Sequence, residues 1–221
     1  MADKLSSRPL AFWVNLCYDR RVKENYQKKL DTLLETLDGA PRLLLQGCCG
    51  PCSSYVLEYL TQYFDVTLLF YNPNIRPEAE YVRRLDTLRQ LLESMPTARP
   101  VTLLETGWRG AEFEAVARGL EAEPEGGARC TRCFLLRLEE TAKQAKAGGF
   151  DFFGTTLTVS PHKNAELLNT IGLDFEQKYG VRWLPSDFKK RNGYLRSIQL
   201  SKEYGLYRQE YCGCGYPEGM A

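Results

Sequence analysis

Four short apolar runs, separated by longer segments of helical period, constrain this chain more than any other feature. The runs are RLLLQ (42–46), DVTLLFY (65–71), RPVTLLE (99–105) and FDFFGTTLT (150–158). All but the first carry β-branched or aromatic residues, which suit a pleated, packed surface, and all four read as buried strands. Between them, Tyr55, Tyr59 and Leu60, and then Tyr81, Leu85, Leu88, Leu92 and Met95, recur at threes and fours, the spacing of one helical face. Further helices are predicted over roughly 22–38, 131–146 and 164–179. Strand–helix alternation of this kind predicts an α/β fold with a mostly parallel sheet flanked by helices, and ligands beyond the carboxyl ends of the strands.

A chain of 221 residues buries enough surface to be stable as a single α/β domain without cross-links. Within it the sequence divides into an N-terminal helical extension (1–41), a βα core (42–160) and a helical, basic C-terminal segment (161–221) that completes the site. The eight cysteines therefore need another reason. The first residues, MADKLSSRPLAFWVNL, lack the basic end and apolar run of a signal peptide, and no window approaches the ~20 apolar residues that span a bilayer. The expectation is a cytoplasmic protein without a membrane partner. In that reducing compartment clustered cysteines serve as metal ligands or redox groups more often than as bridges. A formal net charge of +1 gives no whole-molecule field for nucleic acid, so any RNA must meet a local patch.

Seven of the cysteines fall in three short motifs. Cys48, Cys49 and Cys52 lie in GCCGPCS, directly after the first strand. Cys130 and Cys133 form a C-x2-C in GGARCTRCFLLRL, with Cys133 predicted to open a helix whose dipole favours thiolate. Cys212 and Cys214 lie in YCGCG near the end. Cys17 stands alone and reads as a small apolar residue. Structural zinc sites use well-separated pairs, and an adjacent Cys48–Cys49 pair fits awkwardly around one tetrahedral ion. Excess and adjacency favour an iron–sulfur cluster, although soft thiolate sites accept either metal.

The intervening residues carry more information. GCCGPCS after a strand, then FYNPNIRPEAEYVRR (70–84), EGGARCTRCFLLRL (125–138), FGTTLTVSPHKN (153–164) and QEYCGCG (209–215) together resemble the QueH-type epoxyqueuosine reductases, in that family's order, over residues 42 to 215. The resemblance implies a Rossmann-like fold of the nucleotide-hydrolase type and an iron–sulfur cluster, of the 4Fe–4S type, with an additional iron ion as a further option. It implies removal of the epoxide oxygen of epoxyqueuosine at the wobble position of tRNA, the last step of queuosine synthesis. The partners would be the tRNA anticodon loop and an electron donor that the sequence does not identify. On that likeness Cys48, Cys49, Cys130 and Cys133 are cluster ligands, Cys52 is a spare sulfur for a second metal, and Cys212 and Cys214 are a redox-active pair. The lead of 41 residues departs from the simplest members of the family.

Converting an epoxide to an alkene takes two electrons and two protons. A cluster passes one electron at a time and a dithiol yields two, so a site with both joins a one-electron donor to a two-electron reaction. A metal held with the help of Cys52 would polarise the epoxide oxygen. Candidate proton donors are Tyr71, Asp187, Glu210 and His162, the only histidine, which as a lone residue is equally well a helix-start or surface group. Lys163 reads as a phosphate contact or a catalyst. The NPN at 72–74 is turn chemistry by default, or a set of amides that reads a flipped base. The run DFKKRNGYLRS (187–197) places Lys189, Lys190, Arg191 and Arg196 among Phe188 and Tyr194, suited to phosphates and base stacking, or simply a solvated loop. Arg83 and Arg84 extend that patch or decorate a helix surface.

Two other readings stand beside this one. A tRNA-thiolating or ATP-cleaving enzyme on the same fold needs a Gly-rich pyrophosphate loop after the first strand, where this chain has GCCGPCS. A non-catalytic, zinc-stabilised RNA-binding module remains open on the cysteines alone. For Cys212 and Cys214, membership of the metal site is the alternative to redox cycling.

Overall fold

Which side chains face which layer explains why the first strand is apolar at three successive positions. In this computed structural model, which describes residues 24–216, β1 (Arg42–Gln46) is the middle strand of a sheet and is covered on both faces. Leu43 and Leu45 point into one layer and Leu44 into the other, and none of the three is exposed. A strand buried on both faces shows a continuous apolar run instead of alternation. Fully burying each leucine contributes about 1.5–3 kcal/mol relative to leaving it exposed.

Around β1 the chain builds α1 (Tyr26–Glu35), α2 (Gly50–Leu60), β2 (Asp65–Phe70), α3 (Glu78–Ser94), β3 (Thr102–Glu105), α4 (Gly110–Ala117), α5 (Ala128–Ala147), β4 (Phe152–Thr155), a 3-10 turn (Thr156–Val159), α6 (Ala165–Tyr179), β5 (Arg182–Trp183) and α7 (Gly193–Glu203). The sheet has five strands in the order β3-β2-β1-β4-β5, all parallel. Leu45 stands opposite Leu68 on one side and Gly154 on the other. The order of strand addition reverses between β1 and β4, with β2 and β3 to one side and β4 and β5 to the other, which opens a crevice at their carboxyl ends. The α1, α2, α3 and α7 layer packs through Leu30, Leu57, Leu88 and Leu200 onto one face; α5 and α6 pack through Leu138, Ala142, Leu168 and Ile171 onto the other.

Several sequence expectations need adjustment. The run 150–158 is a strand only to Thr155, after which Thr156–Val159 tightens into the 3-10 turn and carries the chain out over the crevice. The segment 99–105 contributes β3 from Thr102, and this strand is largely exposed because it is the sheet edge, with Thr102, Leu104 and Glu105 open to solvent. The 187–197 stretch is not wholly a loop, since its second half is the start of α7. The opening helix is shorter than predicted, and the first 23 residues of the expected extension, Cys17 included, lie outside the described residues.

Two glycines fix how the helices meet near the crevice. A Cβ on Gly50 would lie 2.9 Å from the Thr87 carbonyl oxygen, so the start of α2 touches α3 through bare backbone. A Cβ on Gly193 would lie 1.9 Å from the Phe188 carbonyl oxygen and 2.3 Å from the Tyr55 ring, at the α2–α7 contact. Gly193→Ala is therefore expected to destabilise the fold by about 1–3 kcal/mol, because backbone cannot yield as a side chain can. Thermal denaturation should show it as a Tm loss of roughly 2–4 °C per kcal/mol. An unchanged Tm would mean that α7 does not dock this closely.

Candidate metal and redox centre

Beyond β1 the chain turns through Gly47 into Cys48 and Cys49, and α2 starts at once with Gly50 and Pro51. Buried amides hold this turn from beneath. The Asn72 amide nitrogen donates to the Gly47 carbonyl at 2.8 Å, and the Gln46 amide nitrogen donates to the Asn72 carboxamide oxygen at 3.2 Å. Thr155, at the end of β4, donates to the Gln46 carboxamide oxygen at 2.9 Å. The NPN segment is thus a turn whose first asparagine props up the cysteine loop. On that support the Sγ atoms of Cys48, Cys49 and Cys52 lie within 4.8 Å of one another, with Cys48 and Cys49 3.7 Å apart. Cys52, expected as the spare sulfur, sits in this trio.

The second motif lies on one face of α5. That helix begins at Ala128 and not at Cys133, so Cys130 is in its first turn and Cys133 in its second. Both are buried, and the Gly126 N–H donates to the Cys130 sulfur at 3.2 Å. Burial raises the Cys130 thiol and raises Cys133 to about 11, so the thiolate preference expected from the helix dipole is outweighed by desolvation.

The third motif is strapped down by two arginines from the other side of the crevice. Arg84 donates to the Cys212 carbonyl at 3.0 Å, and Arg76 donates through two nitrogens to the Cys214 carbonyl at 3.0 and 2.8 Å. Arg84 is buried and paired with Glu80 at 2.7 Å, so it is an anchor and not surface decoration, whereas Arg83 is exposed and stacks on Tyr207. Gln209, on the same strap, donates to the Cys49 sulfur at 3.2 Å. Cys133, Cys212 and Cys214 pack with Phe113 and Ala117 in one small cluster, so the strap joins the α5 motif and touches the β1 loop.

All seven described cysteines are free thiols. Within the trio the hydrogen bonds from Cys49 and Cys52 pull Cys48 well below the ordinary thiol range, while the contact with Cys48 holds Cys49 up at about 12, and the contacts with Cys48 and Cys49 push Cys52 up. One thiolate with two protonated neighbours is the arrangement a soft cation would convert to three thiolates, so the donor set fits a metal or cluster. At the strap the pair splits likewise. A hydrogen bond from Cys214 lowers Cys212 to about 6, aided by Lys163 and Arg137, and Cys214 is pushed up in turn.

A cavity of about 540 Å³ opens among these groups. Its walls include Cys48, Cys52 and Cys212, the buried Asn74, whose carboxamide oxygen has no partner, and the cations Lys163 and Arg208. Of the four proposed proton donors, His162 and Glu210 line it. Tyr71 instead donates to Glu112 at 2.5 Å, and Asp187 pairs with Lys189 at 2.5 Å, so both are committed elsewhere. Lys163 is paired with Glu125 at 2.5 Å; burial opposes its charge, but Cys212 and Glu125 raise it above the usual lysine range. In the basic run, Arg191 pairs with Asp31 and Arg196 with Glu58, each at 2.5 Å, which leaves Lys190 without an ion pair among the described residues.

The family model described as epoxyqueuosine reductase QueH matches residues 43–219, from β1 past the strap. The chain belongs to the QueH family. Curated relatives named epoxyqueuosine reductase QueH include one from Staphylococcus epidermidis, 46% identical over 202 residues, covering 88% of this chain and 85% of that protein. One from Streptococcus pyogenes is 44% identical over 203 residues, covering 90% and 80%. A more distant QueH protein, from Thermotoga maritima, is 36% identical over 175 residues, covering 78% and 88%. The match spans all three cysteine motifs, so the QueH assignment covers the centre and not only the sheet. No described helix is long and apolar enough to cross a membrane.

What the sequence did not reveal here is the set of groups that hold the sulfurs in place: Gln46, Asn72, Arg76, Arg84 and Arg137. Arg84 did leave a signal, because it lies three residues after Tyr81 and four before Leu88, on the apolar face of its helix.

Proposed function

We propose that this protein is an epoxyqueuosine reductase acting on tRNA, removing the epoxide oxygen from epoxyqueuosine at the wobble position to give queuosine. The observation that carries the reading is that two of the cysteine motifs line one cavity at the sheet's switch point and the third packs against the strap beside it, in a chain of the QueH family. Cys48, Cys49, Cys130 and Cys133 would hold an iron–sulfur cluster of the 4Fe–4S type, and Cys52 a further iron ion. When bound, such a cluster supplies one-electron transfer from an external donor. The protein itself does the rest. Asn74, with an unpartnered carboxamide oxygen inside the cavity, orients a base drawn out of the anticodon loop, since a polar group buried without a partner is costly until a ligand satisfies it. Cys212, as thiolate, and Cys214, as thiol, supply two electrons and one proton, closing a disulfide as the epoxide carbons become an alkene and the oxygen leaves as water. His162 or Glu210, on the cavity wall, supplies the second proton to the departing oxygen. The cytoplasm, where tRNA is modified, is the expected compartment.

The test is anaerobic purification followed by assay. Brown protein with iron and sulfide that converts epoxyqueuosine-containing tRNA is expected; colourless protein with stoichiometric zinc and no conversion would favour the RNA-binding module instead.

RNA docking is proposed to use the 189–196 run. Its exposed ion pairs are worth only about 0–1 kcal/mol each and can be exchanged for phosphates. In the triple variant Lys189→Ala, Lys190→Ala, Arg191→Ala, the log–log salt slope of tRNA binding should fall by roughly 1 per lost phosphate contact. A wild-type slope at all salt concentrations would assign the phosphates to other cations.

A further inference from the structure

Arg137 is a buried cation among sulfurs. It lies four residues after Cys133 and seven after Cys130 on α5, so the three share a helix face. Only 3% of it is exposed; its Nη2 donates to the neutral Asn72 carboxamide oxygen at 2.6 Å, and its side chain is also hydrogen-bonded to the Cys133 sulfur. Its Nε has no partner, and it makes no ion pair among the described residues. Arg84, the comparable guanidinium of the opposite wall, has its own carboxylate in Glu80. A charge as deep as Arg137 is retained only where something compensates it. The cavity it lines also holds Glu125, which is paired with Lys163, and Glu210, but the groups on which it acts electrostatically are thiols: it lines the cavity with Cys48 and Cys212, and it acts on Cys48, Cys133 and Cys212. Each of those belongs to a different motif. Lys163, by contrast, acts on Cys130 and Cys212 but not on the β1 loop, and it spends its charge on Glu125.

We infer that Arg137 is a positioning residue that serves as the shared counter-charge of the three cysteine motifs, stabilising the reduced, more anionic state of the whole centre. The sign follows from charge alone. When Cys212, as thiolate, and Cys214, as thiol, form a disulfide they give up two electrons and one proton, and the thiolate charge facing Arg137 disappears; the cation therefore favours the reduced pair. An electron added to a cluster held by these thiolates is favoured in the same way, because net charge and hydrogen bonds at the sulfurs set such potentials. The inference rests on the proposed redox reading of the site.

The test compares anaerobically purified wild type with Arg137→Met, which keeps length and removes charge, and Arg137→Lys, which keeps charge. Replacing a buried ion by an apolar group of similar size is often neutral for stability, so the Met variant is expected to fold. Two readouts are taken. In glutathione buffers, where the thiols pass two electrons to oxidised glutathione and leave two reduced glutathiones, the Cys212–Cys214 equilibrium in Arg137→Met should move at least about tenfold toward disulfide, roughly 30 mV. The midpoint of the visible absorbance should fall by at least about 59 mV, a tenfold change for one electron. Arg137→Lys should recover most of both shifts. Wild-type values in Arg137→Met, or identical shifts in the Lys and Met variants, would overturn the inference while leaving the redox reading intact. Should the Met variant lose its iron, the glutathione equilibrium decides. A wild type with neither visible absorbance nor a Cys212–Cys214 disulfide at any glutathione ratio would take down both.

Discussion

Replacing Cys49 with serine is expected to strip the protein of its visible absorbance and abolish turnover. The same is expected for Cys48→Ser, Cys130→Ser and Cys133→Ser, because an alcohol is a poor ligand for a soft metal and does not ionise near neutrality. Cys49 is the most informative of the four. It is fully buried, its sulfur is 3.7 Å from Cys48, and the strap reaches it through Gln209. The substitution is nearly isosteric, so a thermal midpoint close to wild type would separate loss of metal from loss of fold. Iron and sulfide analysis beside the absorption spectrum makes the measurement. Full iron retention in both Cys49→Ser and Cys130→Ser would rule the grouping out and leave the close trio Cys48, Cys49 and Cys52 as the better ligand set.

The strands β1, β2 and β4 were legible because they are buried on both faces, which leaves an uninterrupted apolar run; α3, α5 and α6 were legible because each has one apolar stripe. β5 was not, since two residues carry no period. Nor was α4, where only Phe113 and Ala117, with Gly110, are buried over eight residues. The start of α7 was hidden because Asn192 adopts a left-handed conformation and no side chain caps the helix, so the basic run before it reads as loop. At the centre the sulfurs were legible from their spacing, but their supports were not. A charged residue on a helix reads as solvent-facing until the packing partner is known. Only the tertiary fold shows that Arg84 holds Cys212, 128 residues further along the chain, and that Arg137 faces the crevice. Tyr71 shows the opposite error: a plausible acid by type and position along the strand, it is consumed by Glu112.

Cys212→Ala and Cys214→Ala are expected to keep the brown chromophore and to bind tRNA, yet to fail under multiple-turnover conditions. With one residue between them, a disulfide would close a very small ring, and a bond held off relaxed geometry is easily reduced. Gly213 and Gly215, both at positive φ, let the backbone take that path, and neither tolerates a side chain without strain. The pair is also electrically asymmetric. Cys212 is thiolate above about pH 6 because Cys214 donates to it, and it faces the cavity, while Cys214 stays protonated against the Phe113 cluster. A lowered thiol pKa means that the nucleophile is present above that value and is lost as pH falls through it. Cys212-dependent disulfide exchange in wild type should therefore lose rate with an inflection near pH 6, and Cys214→Ala, which removes the donor, should move that inflection upward. Stopped-flow exchange with a small disulfide and quantification of queuosine per enzyme measure the two effects. Loss of iron from either alanine variant would make both sulfurs ligands, and undiminished multiple turnover in both would remove them from the electron path.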